Sequence, residues 1–178
     1  LARNKTQTKL KLSIPKFLDS QDRLEIAERV IEFIAERSRD GHSVYNRPWS
    51  GEAGRYTEEY AKQKGVSKNG PVDLSLSHSM LDAMKYFKSM SKAGQITVGF
   101  TKGSTNERKA EGNITGKYGQ ENPIAGKARP FLDILKKDLN AIVKEYQEEI
   151  GEDIHGNPID QTEKKTGGVN PITGERDE

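Results

Sequence analysis

Polar and apolar residues alternate over 8–14, Thr-Lys-Leu-Lys-Leu-Ser-Ile, which puts Leu10, Leu12 and Ile14 on one side and predicts a half-buried strand. Pro15 breaks the alternation. Asp19 or Ser20 can cap the helix that follows, in which Leu24, Ala27, Val30, Ile31 and Ile34 share a face and Gly41 sets the end near residue 40. From 41 to 55 the chain reads as a loop with His42, Pro48, Gly51 and Gly54, anchored by Trp49, whose ring is too large and apolar to be left wet. Tyr56, Tyr60 and Ala61 fit a short helix closed by Gly65, before the turn-rich Ser67-Lys68-Asn69-Gly70-Pro71.

Leu76, Met80, Leu81, Met84 and Phe87 then recur at three- and four-residue steps, predicting a helix with Ser75 or Ser77 as its cap. Gly94 resets the backbone, and Gln95-Ile96-Thr97-Val98-Gly99-Phe100 alternates as a short strand with Ile96, Val98 and Phe100 toward the core. Few apolar residues and five glycines (103, 112, 116, 119 and 126) mark 101–129 as one long loop, and loops of that length are usually functional or ordered by a neighbour. The clearest amphipathic helix is expected to begin at Ala128-Arg129-Pro130-Phe131-Leu132. Pro130 suits the first helical position, and Phe131 opens a series through Ile134, Leu135, Leu139, Ile142, Val143, Tyr146 and Ile150. Arg129 stands just outside that N-terminus, where the macrodipole prefers an acid, so its charge is expected to meet a partner.

This pattern predicts an α+β fold: a small antiparallel sheet packed with two or three amphipathic helices, a long loop and an extended C-terminal arm. Residues 1–150 form one domain in this reading, with a basic N-terminal arm, and 151–178 form the acidic C-terminal arm, which lacks periodicity and cannot fold by itself.

Composition sharpens the picture in three ways. Apolar residues are 32% and charged residues 31% of the 178, polar enough to favour a component ordered by neighbours. No run approaches the roughly 18 to 20 apolar residues of a membrane span, the N-terminus lacks a signal-peptide core, and the absence of cysteine removes disulfides and thiol chemistry. Charge is segmented: residues 1–18 carry Arg3, Lys5, Lys9, Lys11 and Lys16 without an acid, whereas 151–178 carry seven acidic and three basic side chains, a net of −4. The triplet Asn-Pro-Ile occurs at 122–124, 157–159 and 170–172, each a turn followed by one apolar anchor, so the arm is expected to pin Ile159 and Ile172 into a neighbour.

Catalytic chemistry finds no constellation in the sequence. His42, His78 and His155 lack the spacing of a helical metal pair, and neither Gly-x-Ser-x-Gly nor a phosphate-loop motif occurs. Adjacent carboxylates such as Glu58 and Glu59, or Glu148 and Glu149, diverge on a helix. We therefore expect no enzyme activity, cofactor or metal.

Taken in order, the landmarks are Arg47-Pro48-Trp49, Tyr60-Ala61-Lys62-Gln63-Lys64, Leu74 through Met84, Ile96-Thr97-Val98-Gly99, Tyr118-Gly119 and Ala128-Arg129-Pro130-Phe131-Leu132. This series resembles the tail-completion, or virion morphogenesis, proteins of tailed bacteriophages, which act at the joint between head and tail. The resemblance covers roughly 45–150; His78 stands where the family usually has Gly, and 151–178 has no counterpart. It implies a non-catalytic α+β subunit of a homo-oligomeric ring, a hexamer with a dodecamer as the alternative, sited in the virion neck after assembly in the host cytoplasm. Its expected neighbours are adjacent neck and tail-terminator or connector proteins, with non-specific contact to DNA in the lumen and no membrane. Under this resemblance Trp49, Tyr60, Leu81, Val98 and Phe131 are core or inter-subunit anchors, Tyr118 marks the loop, and Lys127 and Arg129 face a neighbour or DNA. The competing reading is a nucleic-acid-binding module that uses the basic N-terminal arm and the 101–129 loop. Tyr118 is that loop's only aromatic residue, which weakens it.

Overall fold

The computed structural model describes residues 8–70, 72–74 and 79–151. Three strands build one antiparallel sheet: β1 (Lys9–Ser13), β2 (Lys85–Tyr86) and β3 (Gln95–Gly99), in the order β1-β3-β2. Leu10 lies opposite Val98 and Leu12 opposite Ile96, so the alternation in β1 places its apolar side chains beside those of β3. Central β3 is covered on both faces, because Thr97 is as fully buried as Ile96 and Val98. Its hydroxyl donates to the Met90 carbonyl at 3.1 Å and its N–H to Ser91 Oγ at 2.9 Å, which satisfies a polar side chain in the core.

Helix α1 (Ser20–Arg39) opens with a reciprocal cap: Asp19 accepts from the N–H groups of Gln21 and Asp22, and Asp22 accepts from the Asp19 N–H. Ile26, Ala27, Val30 and Ile34 bury its apolar stripe. Short α2 (Glu58–Lys64) is capped by Thr57 and ends at Gly65 in the left-handed conformation, the stop read from the sequence. Helix α5 (Lys136–Ile150) runs back along α1. Its approach holds Phe131 and Asp133 beside Arg37, and its last turns place Tyr146 and Glu149 beside Asp22 and Arg29. The outcome is an α+β fold with its core between the sheet, α1 and α5.

Three sequence expectations require correction. The helix expected over 76–87 reduces, among the described residues, to the single turn α3 (Ser79–Asp82), while Lys85 and Tyr86 pair with Gly99 and Val98 as β2. Strand pairing overrides the periodic pattern there, since Phe87 N–H also donates to the Thr97 carbonyl at 2.8 Å. The 101–129 segment is not one long loop: Thr105–Thr115 forms α4, capped by Ser104 and closed by left-handed Gly116. Its two buried residues, Ala110 and Gly112, leave almost no apolar stripe to read.

The last helix begins at Lys136, not at Pro130. Two tight turns precede it, with Phe131 N–H on the Arg129 carbonyl at 2.8 Å and Asp133 N–H on the Phe131 carbonyl at 2.9 Å. The guanidinium of Arg37 then donates from Nη2 to the carbonyls of Phe131 and Asp133, both at 2.8 Å, taking acceptors that a helix would use internally. The N-terminal arm residues 1–7, the serines 75 and 77, His78 and the 152–178 arm, with Ile159 and Ile172, lie outside the described residues.

Candidate functional site

Arg129 organises the site. Its N–H donates to the Asn113 carbonyl of α4 at 2.6 Å, which fixes the returning segment against that helix. From there Nε donates to the Ala53 carbonyl at 2.6 Å and Nη2 to the Arg55 carbonyl at 2.9 Å. Lys127 Nζ donates to the same Arg55 carbonyl at 2.9 Å and lies 3.5 Å from Glu52. Two cations therefore clamp the stretch that follows Trp49, using its main chain as the acceptor.

Tyr118 completes the clamp from the other side. Its hydroxyl accepts from Arg129 Nη1 at 2.9 Å and lies within donating distance of Asn113 Oδ1 and the Lys127 carbonyl. Gly112 makes room for it: a Cβ there would stand 3.3 Å from the Tyr118 Cα and ring. Tyr118 also adopts a positive φ of 45°, uncommon for a bulky residue and sustained here by the hydroxyl contacts. Burial pushes the phenol's pKa up, against the pull of Arg129.

A cavity of about 450 Å³ opens between this clamp, α2, α3 and α4. Stacked Tyr56 and Tyr60 form one wall, with ring centroids 5.3 Å apart. Tyr56 donates from its hydroxyl to Asp73 Oδ1 at 2.9 Å, and Lys64 forms an ion pair with the same carboxylate. Burial raises the pKa of both tyrosines. Val72, Leu74, Met80 and Ile124 supply apolar surface, while Arg55, Lys109, Lys127 and Arg129 supply cations, with no carboxylate among the described lining residues. A lining of this chemistry suits an anionic group carried on an apolar stem.

The residues singled out in the sequence meet different fates. Trp49 is half-buried against the core, Tyr60 is a cavity wall, and Phe131 is fully buried edge-to-face with Phe100, their centroids 6.2 Å apart. Lys127 and Arg129 are 8% and 7% exposed and donate to carbonyls of their own chain. Tyr118 keeps an outward edge at 40% exposure. Sequence reasoning missed Arg37, which fixes the approach to α5. Its signal was a charge three residues after Ile34, on the apolar stripe of α1. It also missed Lys109 and Asn113, which sit on an unforeseen helix.

No protein family, curated protein or solved structure matches this chain. Among the described residues no group of three or more His, Asp or Glu could hold a metal ion, and no helix is long and apolar enough to cross a membrane.

Proposed function

We propose that this chain is a structural protein of the phage neck that assembles into a ring at the head-tail junction. The observation that carries this reading is the convergence of the ordered landmarks on one clamp and its core. The stretch after Trp49 is held by Arg129, Tyr118 braces Arg129, Tyr60 lines the adjoining cavity, and Phe131 packs the segment after Arg129 onto Phe100. That landmarks distant in sequence lie about one clamp and the core beside it is what supports this reading.

The nucleic-acid reading has less support. Lys127 and Arg129, two of the bases it draws from the 101–129 segment, donate to main-chain carbonyls of their own fold. Mass measurement of the purified chain, alone and mixed with virion proteins, tests the proposal. A closed ring of about six or twelve copies is expected for cyclic symmetry, and a strict monomer under both conditions would overturn it. Tight DNA binding by the isolated subunit with a steep salt dependence would instead favour the nucleic-acid module.

A further inference from the structure

We propose that the cavity beside Tyr118 seats the Asn157-Pro158-Ile159-Asp160 segment of a second copy of this chain, with Ile159 on the apolar wall and Asp160 on the cationic side. The proposal deepens the ring reading by naming the contact through which one copy grips the next.

The cavity's chemistry sets the occupant. Val72, Leu74 and Met80 want an aliphatic side chain, and the cations beside them want an acid at short spacing. Glu52, outside the lining, lies 3.4 Å from Arg55 and 3.5 Å from Lys127, and the lining bases Lys109 and Arg129 form no ion pair among the described residues. Arg129 uses three N–H groups on the Ala53 and Arg55 carbonyls and Tyr118, so two of the guanidinium's five remain.

The chain carries such a segment. Of the three Asn-Pro-Ile triplets, the one at 122–124 already presents Ile124 to this cavity. The triplet at 157–159 is followed directly by Asp160, whereas the one at 170–172 is followed by Thr173 and Gly174. Residues 152–160 add Glu152 and Asp153 and contain no Lys or Arg. Charge selects this copy.

Reach then favours a neighbouring copy as the donor. Arg129 stands before the start of α5, and the arm leaves from its far end at Gly151. Fifteen helical residues separate those ends by about 22 Å. Ile159 lies eight residues beyond Gly151 and spans at most about 28 Å when fully extended. Doubling back along α5 consumes nearly all of that length before the chain turns into the cavity. A neighbouring copy meets no such constraint, and a head-to-tail contact of this kind repeats naturally around a ring.

Cross-linking of the full-length chain tests the docking, because no native cysteine competes. One population carries Gln120→Cys at the exposed lip of the cavity and the other, distinguished by an affinity tag, carries Gln161→Cys. Mild oxidation is expected to give the crossed covalent dimer. Adding Ile159→Asp or Asp160→Lys to the arm-bearing chain should lower its yield about tenfold, the factor that a loss of roughly 1.4 kcal/mol produces. A yield equal to that of a control pairing Gln161→Cys with Glu28→Cys, or one indifferent to Ile159→Asp, overturns the proposal. So does a Gln120→Cys/Gln161→Cys chain that closes on itself as a covalent monomer at dilution. Mass measurement separates the two levels: a closed ring without the crossed dimer defeats the docking alone, and a specific crossed dimer without a ring defeats the ring alone.

Discussion

Arg129 Nη1 donates to the Tyr118 hydroxyl at 2.9 Å while the rest of the same guanidinium holds the carbonyls of Ala53 and Arg55. One side chain thereby joins the stretch after Trp49, the loop after α4 and the segment that leads into Phe131. Lysine could supply the charge but not the planar fork that reaches three acceptors. Arg129 meets these acceptors within its own fold and also lines the cavity.

Arg129→Lys should therefore destabilise the protein although it keeps the charge. At least one buried acceptor loses its donor, at about 1 to 3 kcal/mol each, so a loss of about 2 to 4 kcal/mol is expected in urea unfolding. An unchanged midpoint would show that the clamp is incidental to stability.

Phe131→Ala should cost about 3 to 5 kcal/mol, because the ring is fully buried against Phe100 and its removal leaves a void between the sheet and the approach to α5. Thermal melting reads the effect. A variant that melts with the parent would contradict this placement of the ring in the core.

Much of this architecture was legible because local chemistry and tertiary packing agree. Asp19 caps α1, Gly65 ends α2, and Ile96 with Val98 fills the sheet as their alternation predicts. Failure came where a distant group decided the backbone. Pro130 and Phe131 carry helix-start chemistry, yet Arg37, more than ninety residues earlier, takes the carbonyls of Phe131 and Asp133 and delays the helix. Lys85 and Tyr86 lie between Met84 and Phe87 of a helical period but pair with Gly99 and Val98. Helix α4 hid because glycine and polar residues fill it, and Gly112 is there for the close approach of Tyr118. The site was half-visible for the same reason: Arg129 stood out as unmatched, but its acceptors are main-chain carbonyls, which carry no sequence signature.

Gly99 ends β3 with φ at 147°, and a Cβ there would stand 2.3 Å from the Thr8 carbonyl oxygen. Neither β1 nor β2 can retreat without breaking its register to this residue. Gly99→Ala should thus lose at least about 2 kcal/mol, from strain in a region open to glycine alone plus the clash. Urea unfolding of the purified variant checks it, and an equal midpoint would mean the strand end can rearrange freely.

Acid should weaken the protein through the cap of α1. The main-chain N–H of Asp22, then that of Gln21, hold the Asp19 carboxyl below its usual value of 3.8. A carboxyl depressed on folding contributes stability that is present above the unfolded value and lost as pH falls through the folded one, so this contribution disappears below about pH 4. Glu107 acts in the same direction, held down by the Thr8 hydroxyl and the Gly103 N–H. Asp19→Asn keeps a side chain that caps nearly as well but cannot titrate. Its urea midpoint should change little near neutral pH and fall less than the parent's between about pH 6 and about pH 3. If both midpoints fall in parallel, the acid sensitivity lies in other carboxylates, Glu107 first among them.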